Sequence, residues 1–266
     1  MALAISRFIV RNRETSAAYI RECIGEICIG RLRSGNRVHG SAMEYGRRFF
    51  DLYARGAEGL TIMEIGALDI NGSLRSVAPP DNTYLGLDSV AGKGVDIVID
   101  DPYVLPLKSD TVDICISSSC FEHSEFFWLC FNEVLRILKP EGIFYLNAPS
   151  NGAFHRHPVD CWRFYPDSGI ALQNWGRKNG YRVVLLESFI GLQKEDTWND
   201  FVAVFLKDPA YIGRYPERLL DGDREVMNGI RYGSDEFINP VSPSQDQEAH
   251  RKLSEIVRSM SDIMKS

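Results

Sequence analysis

The chain has 266 residues, of which 44% are apolar, with 36 acidic and 30 basic side chains and a formal net charge of −6 at pH 7. This composition is typical of a folded domain with ample material for a core, and it excludes a disordered, collagen-like or coiled-coil chain. No apolar run approaches the roughly 18–20 residues that span a bilayer. The acidic balance argues against non-specific nucleic-acid binding. We therefore expect a soluble, cytoplasmic protein.

The charge is unevenly distributed along the chain. Residues 1–60 contain ten arginines, no lysine and six acidic side chains, a net charge of +4, and the remainder carries −10. Apolar periodicity over 14–29, and the Ser41-x-x-Glu44 pattern opening a helix at 42–55, predict a helical N-terminal cap over 1–59. We interpret its arginines as solvated helix faces; attraction of an anionic ligand and contact with an anionic membrane surface remain alternatives.

Residues 60–207 alternate short β-branched apolar runs with stretches of helical period, as βαβ units do. The apolar runs predict seven strands, at 61–65, 83–87, 96–99, 112–117, 142–147, 182–188 and 201–206. Helices are predicted at 73–77, from a cap at Ser124 to the turn at Pro140, and at about 167–178.

The C-terminal residues 208–266 are predicted to form a polar linker and a final amphipathic helix at about 246–264. This helix either packs on the core or forms a dimer interface. The six cysteines lack zinc-type spacing and lie in apolar surroundings, so we expect reduced core thiols. They are Cys23, Cys28, Cys115, Cys120, Cys130 and Cys161.

Ligands of open α/β sheets bind beyond the carboxyl ends of the strands, which directs attention to the first two strand ends. The first strand continues into Glu64 and Gly66 without a GxGxxG pattern. An acid at Glu64 would repel a pyrophosphate, and it suits a ligand with a cationic amino or sulfonium group. Asp88 ends the second strand, where an acid accepts hydrogen bonds from a ribose diol.

Four passages in this order resemble the class I S-adenosylmethionine-dependent methyltransferases, in particular the type 11 group, over about residues 60–206. They read EIGALDINGS, LGLDS, DDPYVLPLKSDTVDICISSSCFEH and EVLRILKPEGIFYLNAP. The resemblance implies a Rossmann-like, doubly wound α/β sheet of seven strands with the last antiparallel. It also implies S-adenosylmethionine as cofactor, with S-adenosylhomocysteine as product. The implied cofactor-binding residues are Glu64, Gly66, Ala67, Asp69, Asn71, Asp88, Asp101 and Ser118.

The chain departs from the family pattern in the first of these passages. Leu68 and Ile70 stand where the family has glycines, so the contacts to the methionine end of the cofactor should differ. Asp101, which the resemblance places against the adenine, is equally suited to a structural turn before Pro102. The altered loop keeps open a non-catalytic relative that retains the fold as a binding module.

The stretch from Pro149 to Pro166 concentrates histidine, arginine and aromatic residues where the acceptor of the methyl group should lie. We predict His157, oriented by Asp160, as the base that removes a hydroxyl proton, with His123 as the other catalytic candidate. The predicted substrate-binding residues are His155, Arg156, Trp162 and Arg163. Arg163 alternatively forms a structural corner with its aromatic neighbours. The spacing matches no recognised ligand set, so no metal is expected.

Together these features predict methylation of an oxygen on a sugar, a glycan or another small polar acceptor. The H-x-x-x-x-W-R-F passage from His157 to Phe164 also resembles methyltransferases of cell-surface glycan and natural-product pathways, which implies a role in such biosynthesis. An N-methyltransferase of small amines is the alternative within the same class, and a nicotinamide oxidoreductase is more distant. An anionic acceptor, peripheral membrane contact and a homodimer remain open, and no nucleic-acid partner is expected.

Overall fold

The computed structural model describes residues 40–70, 72–193 and 198–265. Within these ranges four α-helices and eight β-strands form. The helices are α1 (Gly40–Tyr53), α2 (Phe127–Ile137), α3 (Pro166–Lys178) and α4 (Gln245–Lys265). The strands are β1 (Thr61–Ile65), β2 (Thr83–Asp88), β3 (Ile97–Val98), β4 (Val112–Ser118), β5 (Leu138–Pro149), β6 (Val184–Gly191), β7 (Asp200–Leu206) and β8 (Val226–Arg231).

All eight strands belong to one sheet, in the order β3-β2-β1-β4-β5-β7-β6-β8. The strands β1 to β5 pair in parallel, whereas β7 is antiparallel to both β5 and β6. The strand order reverses between β1 and β4, and the carboxyl ends of these two strands flank the position where such sheets bind ligands. The predicted Rossmann-like α/β class is thus confirmed.

The eighth strand was missed by the sequence prediction, which placed Val226–Arg231 in the polar linker. This strand pairs antiparallel with β6 and forms the edge of the sheet. Its sequence VMNGIR contains Asn228-Gly229, a dipeptide typical of turns, and Asn228 has a positive φ of 51°. Because pairing with β6 outweighs this local preference, the sheet extends beyond the predicted boundary at residue 207.

The core has two layers, one on each face of the sheet. Successive strand residues point to opposite faces, so Ile62 packs with α1 while Met63 and Ile65 lie on the face covered by α2 and α3. Phe49 of α1 is fully buried against Tyr145 of β5, with ring centroids 4.7 Å apart. Packing of these two layers against the sheet holds in place the strand ends where the candidate site lies.

A buried carboxylate on β6 links α1 to the segment that follows β7. Glu187 of β6 is fully buried, and its Oε1 accepts hydrogen bonds from the Tyr53 hydroxyl (2.5 Å) and the Leu219 amide (3.0 Å). Its Oε2 accepts one from the Leu220 amide. Burial raises the pKa of Glu187.

Several predicted boundaries need correction. The helix α2 begins at Phe127 and not at Ser124, because the Phe126 amide donates to the Tyr103 hydroxyl (3.2 Å) outside the helix. Ser41 lies inside α1, which already begins at Gly40, so it is not the predicted cap. The predicted helix at 14–29 lies outside the described residues.

The cysteines divide into two groups. Cys115 and Cys130 are buried free thiols, as expected, whereas Cys161 is exposed and Cys120 is intermediate. The core prediction is therefore wrong for Cys161, because the loop that carries it lies at the surface; Cys23 and Cys28 lie outside the described residues. In the part of the chain that the structure describes, no helix combines the length and apolarity needed to cross a membrane.

Candidate active site

The turn after β1 brings the first predicted motif against the end of β4. Gly66 adopts a φ of +78°, and a Cβ built on it would lie 2.6 Å from the Cys120 Cβ. Only glycine satisfies both the left-handed backbone and this close approach. Because Cys120 lies just beyond β4, the turn directly contacts the segment that carries Glu122 and His123.

Glu64 is largely occupied by structural hydrogen bonds. Its Oε2 accepts from the Tyr84 hydroxyl (2.7 Å) and from Ser73 Oγ (3.3 Å), and Ser73 in turn caps the short 3-10 helix Leu74–Val77. Burial raises the pKa of Glu64. No hydrogen bond among the described residues uses its Oε1, so only that oxygen is available for the predicted contact with a cationic ligand group.

Asp88 stands at the end of β2, beside the β1 turn. Its Oδ2 accepts from the Leu68 amide (3.2 Å) and its Oδ1 from the Val90 amide (3.0 Å). A carboxylate has about four lone-pair sites, so about two remain for a ligand. The half-buried Asp88 is therefore held in place and still able to accept from a pair of hydroxyls.

The backbone amides of the β1 turn already have hydrogen-bond partners within the protein. The amides of Gly66 and Ala67 donate to the Leu87 carbonyl, and that of Asp69 donates to the Lys93 carbonyl (2.8 Å). The Asp69 carboxylate pairs with the Lys93 ammonium (2.6 Å), which lowers the pKa of Asp69. The Asp69 side chain thus forms an ion pair with the loop that follows β2, and its contact with a ligand stays a prediction.

The remaining predicted cofactor residues differ in what the structure says of them. Asp101 is exposed, and its Oδ1 accepts from the Tyr103 amide (2.8 Å), which is the turn geometry considered as its alternative. Ser118 ends β4 opposite Asn147 of β5. Asn71 lies outside the described residues.

Histidines and a buried glutamate gather beyond β4. Glu122, His123 and His155 each present a potential metal-ligand atom within 4.8 Å of the other two. The ring of His157 lies 6.0 Å from that of His123 and 6.3 Å from that of His155. The Glu122 carbonyl accepts from the amides of residues 161 and 162. These hydrogen bonds tie the stretch from Pro149 to Pro166, which we call the acceptor loop, to the β4 end.

The acidic member of this cluster has an unusual environment. Glu122 is 1% exposed, and burial raises its pKa to about 8. Its Oε1 lies 3.7 Å from His123 Nε2, and its Oε2 is a buried atom without a hydrogen-bond partner among the described residues. Burial also lowers the pKa of His123. Burial thus disfavours the charged form of each group.

The predicted pairing of His157 with Asp160 is not formed. Asp160 accepts from the Arg163 guanidinium (2.6 and 2.9 Å) and from the His155 amide (2.7 Å), and its Oδ2 lies 3.5 Å from His155 Nδ1. Within the described residues no hydrogen bond joins it to the His157 side chain. The Arg163 guanidinium holds the pKa of Asp160 well below its usual range. Arg163 outcompetes the histidine because it offers a charged, bidentate partner three residues away.

The predicted acceptor-binding side chains mostly organise the loop. Arg163 also donates to the carbonyls of Ala153 and Trp162, which leaves it committed to the structural corner considered as its alternative. The Trp162 indole donates to the Ser124 carbonyl (2.9 Å), although its ring remains partly exposed. Arg156 is exposed and donates to the nearby Pro158 carbonyl.

Two features of this site escaped the sequence prediction. The Trp198 ring packs edge-on against His155 at 4.8 Å, and the Arg163 guanidinium lies over it. A Cβ on Gly152 would lie 2.0 Å from that ring, so only glycine, which has no side chain, fits at this position. Glu122 was also missed, although its place directly before His123 at a strand end was a usable indication. Trp198 gave none, because its contacts are distant in sequence.

Comparison with known proteins agrees with this geometry. A family model described as a methyltransferase domain matches residues 50–146, which include β1, β2, β4 and α2. Over these residues the chain is similar to methyltransferase domains. It is 37% identical over 79 residues to an uncharacterized methyltransferase of Mycobacterium leprae (strain TN), covering 29% of each chain. It is 35% identical over 103 residues to one from Mycobacterium bovis (strain BCG / Pasteur 1173P2), covering 38% of this chain and 40% of that one.

The matched part thus spans less than half the length of these curated relatives. Among solved structures, the chain is similar to the YcgJ protein of a Bacillus species, at 13% identity and a TM-score of 0.47, over 64% of this chain and 99% of that one. It is also similar to 1,6-didemethyltoxoflavin-N1-methyltransferase of Burkholderia thailandensis, at 14% identity and a TM-score of 0.49, over 74% and 90%.

The candidate site fits S-adenosylmethionine at the ribose end. Asp88 retains lone pairs for two hydroxyls beside the Gly66 turn. The methionine end fits differently from the family pattern, since the amides of residues 66–70 already donate within the protein. Glu64 Oε1 is the acceptor that remains there for an ammonium group. Leu68 packs over Gly92 and Ile70 is exposed.

Proposed function

We propose that this protein is an S-adenosylmethionine-dependent methyltransferase that methylates an oxygen of a sugar, a glycan or another small polar acceptor. The observation that carries the proposal is the contact of two elements at one edge of the sheet. The Gly66 turn beside Asp88 contacts Cys120, directly before the Glu122–His123 segment. A ribose-binding carboxylate and a histidine cluster thus lie on adjoining segments within the methyltransferase domain.

The choice of oxygen rests on the histidines. S-adenosylmethionine supplies a methyl group on a sulfonium, which is a good leaving group. A hydroxyl acceptor must also lose its proton, and an amine needs less help of this kind. His157 is exposed, and its ring lies close to those of the other two histidines. We therefore propose His157 as the base that takes the hydroxyl proton, although Asp160 does not orient it. Trp162 offers a partly exposed ring to a sugar face.

The proposal extends to the domain organisation and to the biological setting. We propose residues 1–59 as an N-terminal segment, of which 1–39 lie outside the described part of the chain, 60–207 as the methyltransferase core and 208–266 as an extension, with β8 completing the sheet. The start of α4 supports the last assignment, because Gln245 Oε1 accepts from the backbone amide of Gln193 and the side-chain amide of Asn199 beside the acceptor loop. Glycan or natural-product biosynthesis in the cytoplasm is the setting that suits such an acceptor.

Calorimetric titration with S-adenosylmethionine tests the cofactor assignment. We expect binding to the intact protein and about 10- to 100-fold weaker binding by Asp88→Asn, because hydrogen bonds to a charged group contribute about 1.5–3 kcal/mol. Asp235→Asn, on an exposed turn, is the matched control and should bind normally. No binding by the intact protein would favour the non-catalytic alternative.

The acceptor side is tested separately by replacing the proposed base. With an oxygen acceptor found by mass-shift screening, His157→Ala should lower kcat about 10²–10⁴-fold and leave cofactor affinity unchanged. An acceptor nitrogen methylated at full rate by this variant would replace the O-methylation proposal by N-methylation.

A further inference from the structure

Glu122, His123 and His155 form a cluster, and the proton transfer proposed above, which is assigned to His157, does not require them. Its three side chains offer two imidazole nitrogens and one carboxylate oxygen within 4.8 Å of one another. Ligand atoms around one ion lie about 3–4 Å apart, because each bond is about 2.0–2.2 Å long. The 3.7 Å between His123 Nε2 and Glu122 Oε1 is already in that range.

The second observation is the way both imidazoles are held. His123 Nδ1 contacts the Val159 carbonyl, and His155 Nδ1 contacts the Ala153 carbonyl at 3.1 Å. A carbonyl oxygen only accepts, so each Nδ1 carries a proton, and in the neutral imidazole the Nε2 then keeps its lone pair. This is the arrangement in which histidines bind metals, with the second nitrogen fixed by a backbone carbonyl.

The third observation is the unpartnered oxygen of Glu122. The side chain is 1% exposed, and in the described part of the chain its Oε2 has no hydrogen-bond partner. The nearby guanidinium of Arg163 is committed to Asp160 and to two carbonyls. A buried carboxylate oxygen left unpaired is costly, whereas a cation placed between the three side chains would satisfy it.

We propose that Glu122, His123 and His155 bind one divalent transition-metal ion. Two imidazoles and one carboxylate suit zinc, iron, cobalt, nickel or manganese better than magnesium or calcium, which prefer all-oxygen sites. This departs from the sequence-based expectation of no metal. That expectation considered spacing along the chain, whereas the loop containing His155 folds back onto the β4 end.

The role of the ion rests on the proposed function. Three protein ligands leave a coordination position open, and an acceptor hydroxyl bound there would lose its proton more easily. The proton would pass to His157, whose ring lies 6.0 Å from that of His123, while the acceptor oxygen remains on the ion. The ion would thereby position the acceptor oxygen at the edge where the Gly66 turn meets the β4 end.

The test is metal binding by the full chain after treatment with a chelator, without any cofactor. Titration with Co²⁺, followed by visible absorption and calorimetry, should give one ion per chain. Glu122→Gln, His123→Gln and His155→Gln should each weaken binding at least about 100-fold, since even outer partners of metal ligands contribute about 10- to 100-fold. His250→Gln, on the exposed face of α4, is the matched control and should bind normally.

Several results would overturn the proposal: no bound ion, unchanged affinity in Glu122→Gln, or equal loss in His157→Gln, which would mean a different ligand set. If a variant fails to fold, X-ray absorption of the zinc-loaded wild-type protein decides, because two imidazoles must appear among the ligands. The result is independent of the proposed function, since Asp88→Asn should lose cofactor affinity and keep the metal.

Discussion

Substitution of Gly66 by alanine probes the turn that places the cofactor site. The residue has a φ of +78°, and the left-handed region costs an L-residue about 1–2 kcal/mol. The new Cβ would also lie 2.6 Å from the Cys120 Cβ, and overpacking of this kind costs about 1–3 kcal/mol. We expect Gly66→Ala to lower the free energy of unfolding by about 2–5 kcal/mol, a large part of a typical stability of about 5–15 kcal/mol.

A matched control separates the two contributions. Gly59 has a similar φ of +69°, with no other atom within 4 Å of a built Cβ, so Gly59→Ala should lose only the backbone part. Urea denaturation measures both variants. Adding Cys120→Gly to Gly66→Ala removes the crowding atoms and should recover the difference. A loss in Gly66→Ala no larger than that in Gly59→Ala would refute the close contact.

Two further predictions concern titration and thiol reactivity. Hydrogen bonds from Arg136 hold the pKa of Glu133 below its usual value, so this carboxylate stabilises the fold above its unfolded-state pKa. The stability advantage of wild type over Glu133→Gln should therefore be full near pH 7 and disappear as the pH falls below about 4, as measured by urea denaturation. Iodoacetamide should alkylate the exposed Cys161 in the native protein, and the buried Cys115 and Cys130 should react only after unfolding, as read by peptide mass spectrometry. Equal labelling of all three would contradict their described burial.

The cofactor side of the site was largely predictable from local sequence. Asp88 and Gly66 follow short apolar runs, and parallel strands bring their carboxyl ends to one edge. The role of Glu64 was less predictable, because its hydrogen bonds to Tyr84 and Ser73 depend on the neighbouring strand and the following loop. Position along a strand thus identifies a candidate, while its partners depend on pairing.

The acceptor side was predictable in composition and not in contacts. The sequence drew attention to His155, His157 and Asp160, but Arg163 takes the carboxylate that was assigned to His157. The cluster with Glu122 forms only because the acceptor loop is tied to the β4 end by backbone hydrogen bonds. Such long-range contacts leave no periodic pattern in the sequence.

A crystal structure with S-adenosylhomocysteine is the most direct test of the central claim. We expect the ribose hydroxyls within hydrogen-bond distance of Asp88 and the thioether sulfur facing the Glu122, His123 and His155 cluster. The product bound elsewhere on the sheet, or absent from crystals soaked at saturating concentration, would contradict it.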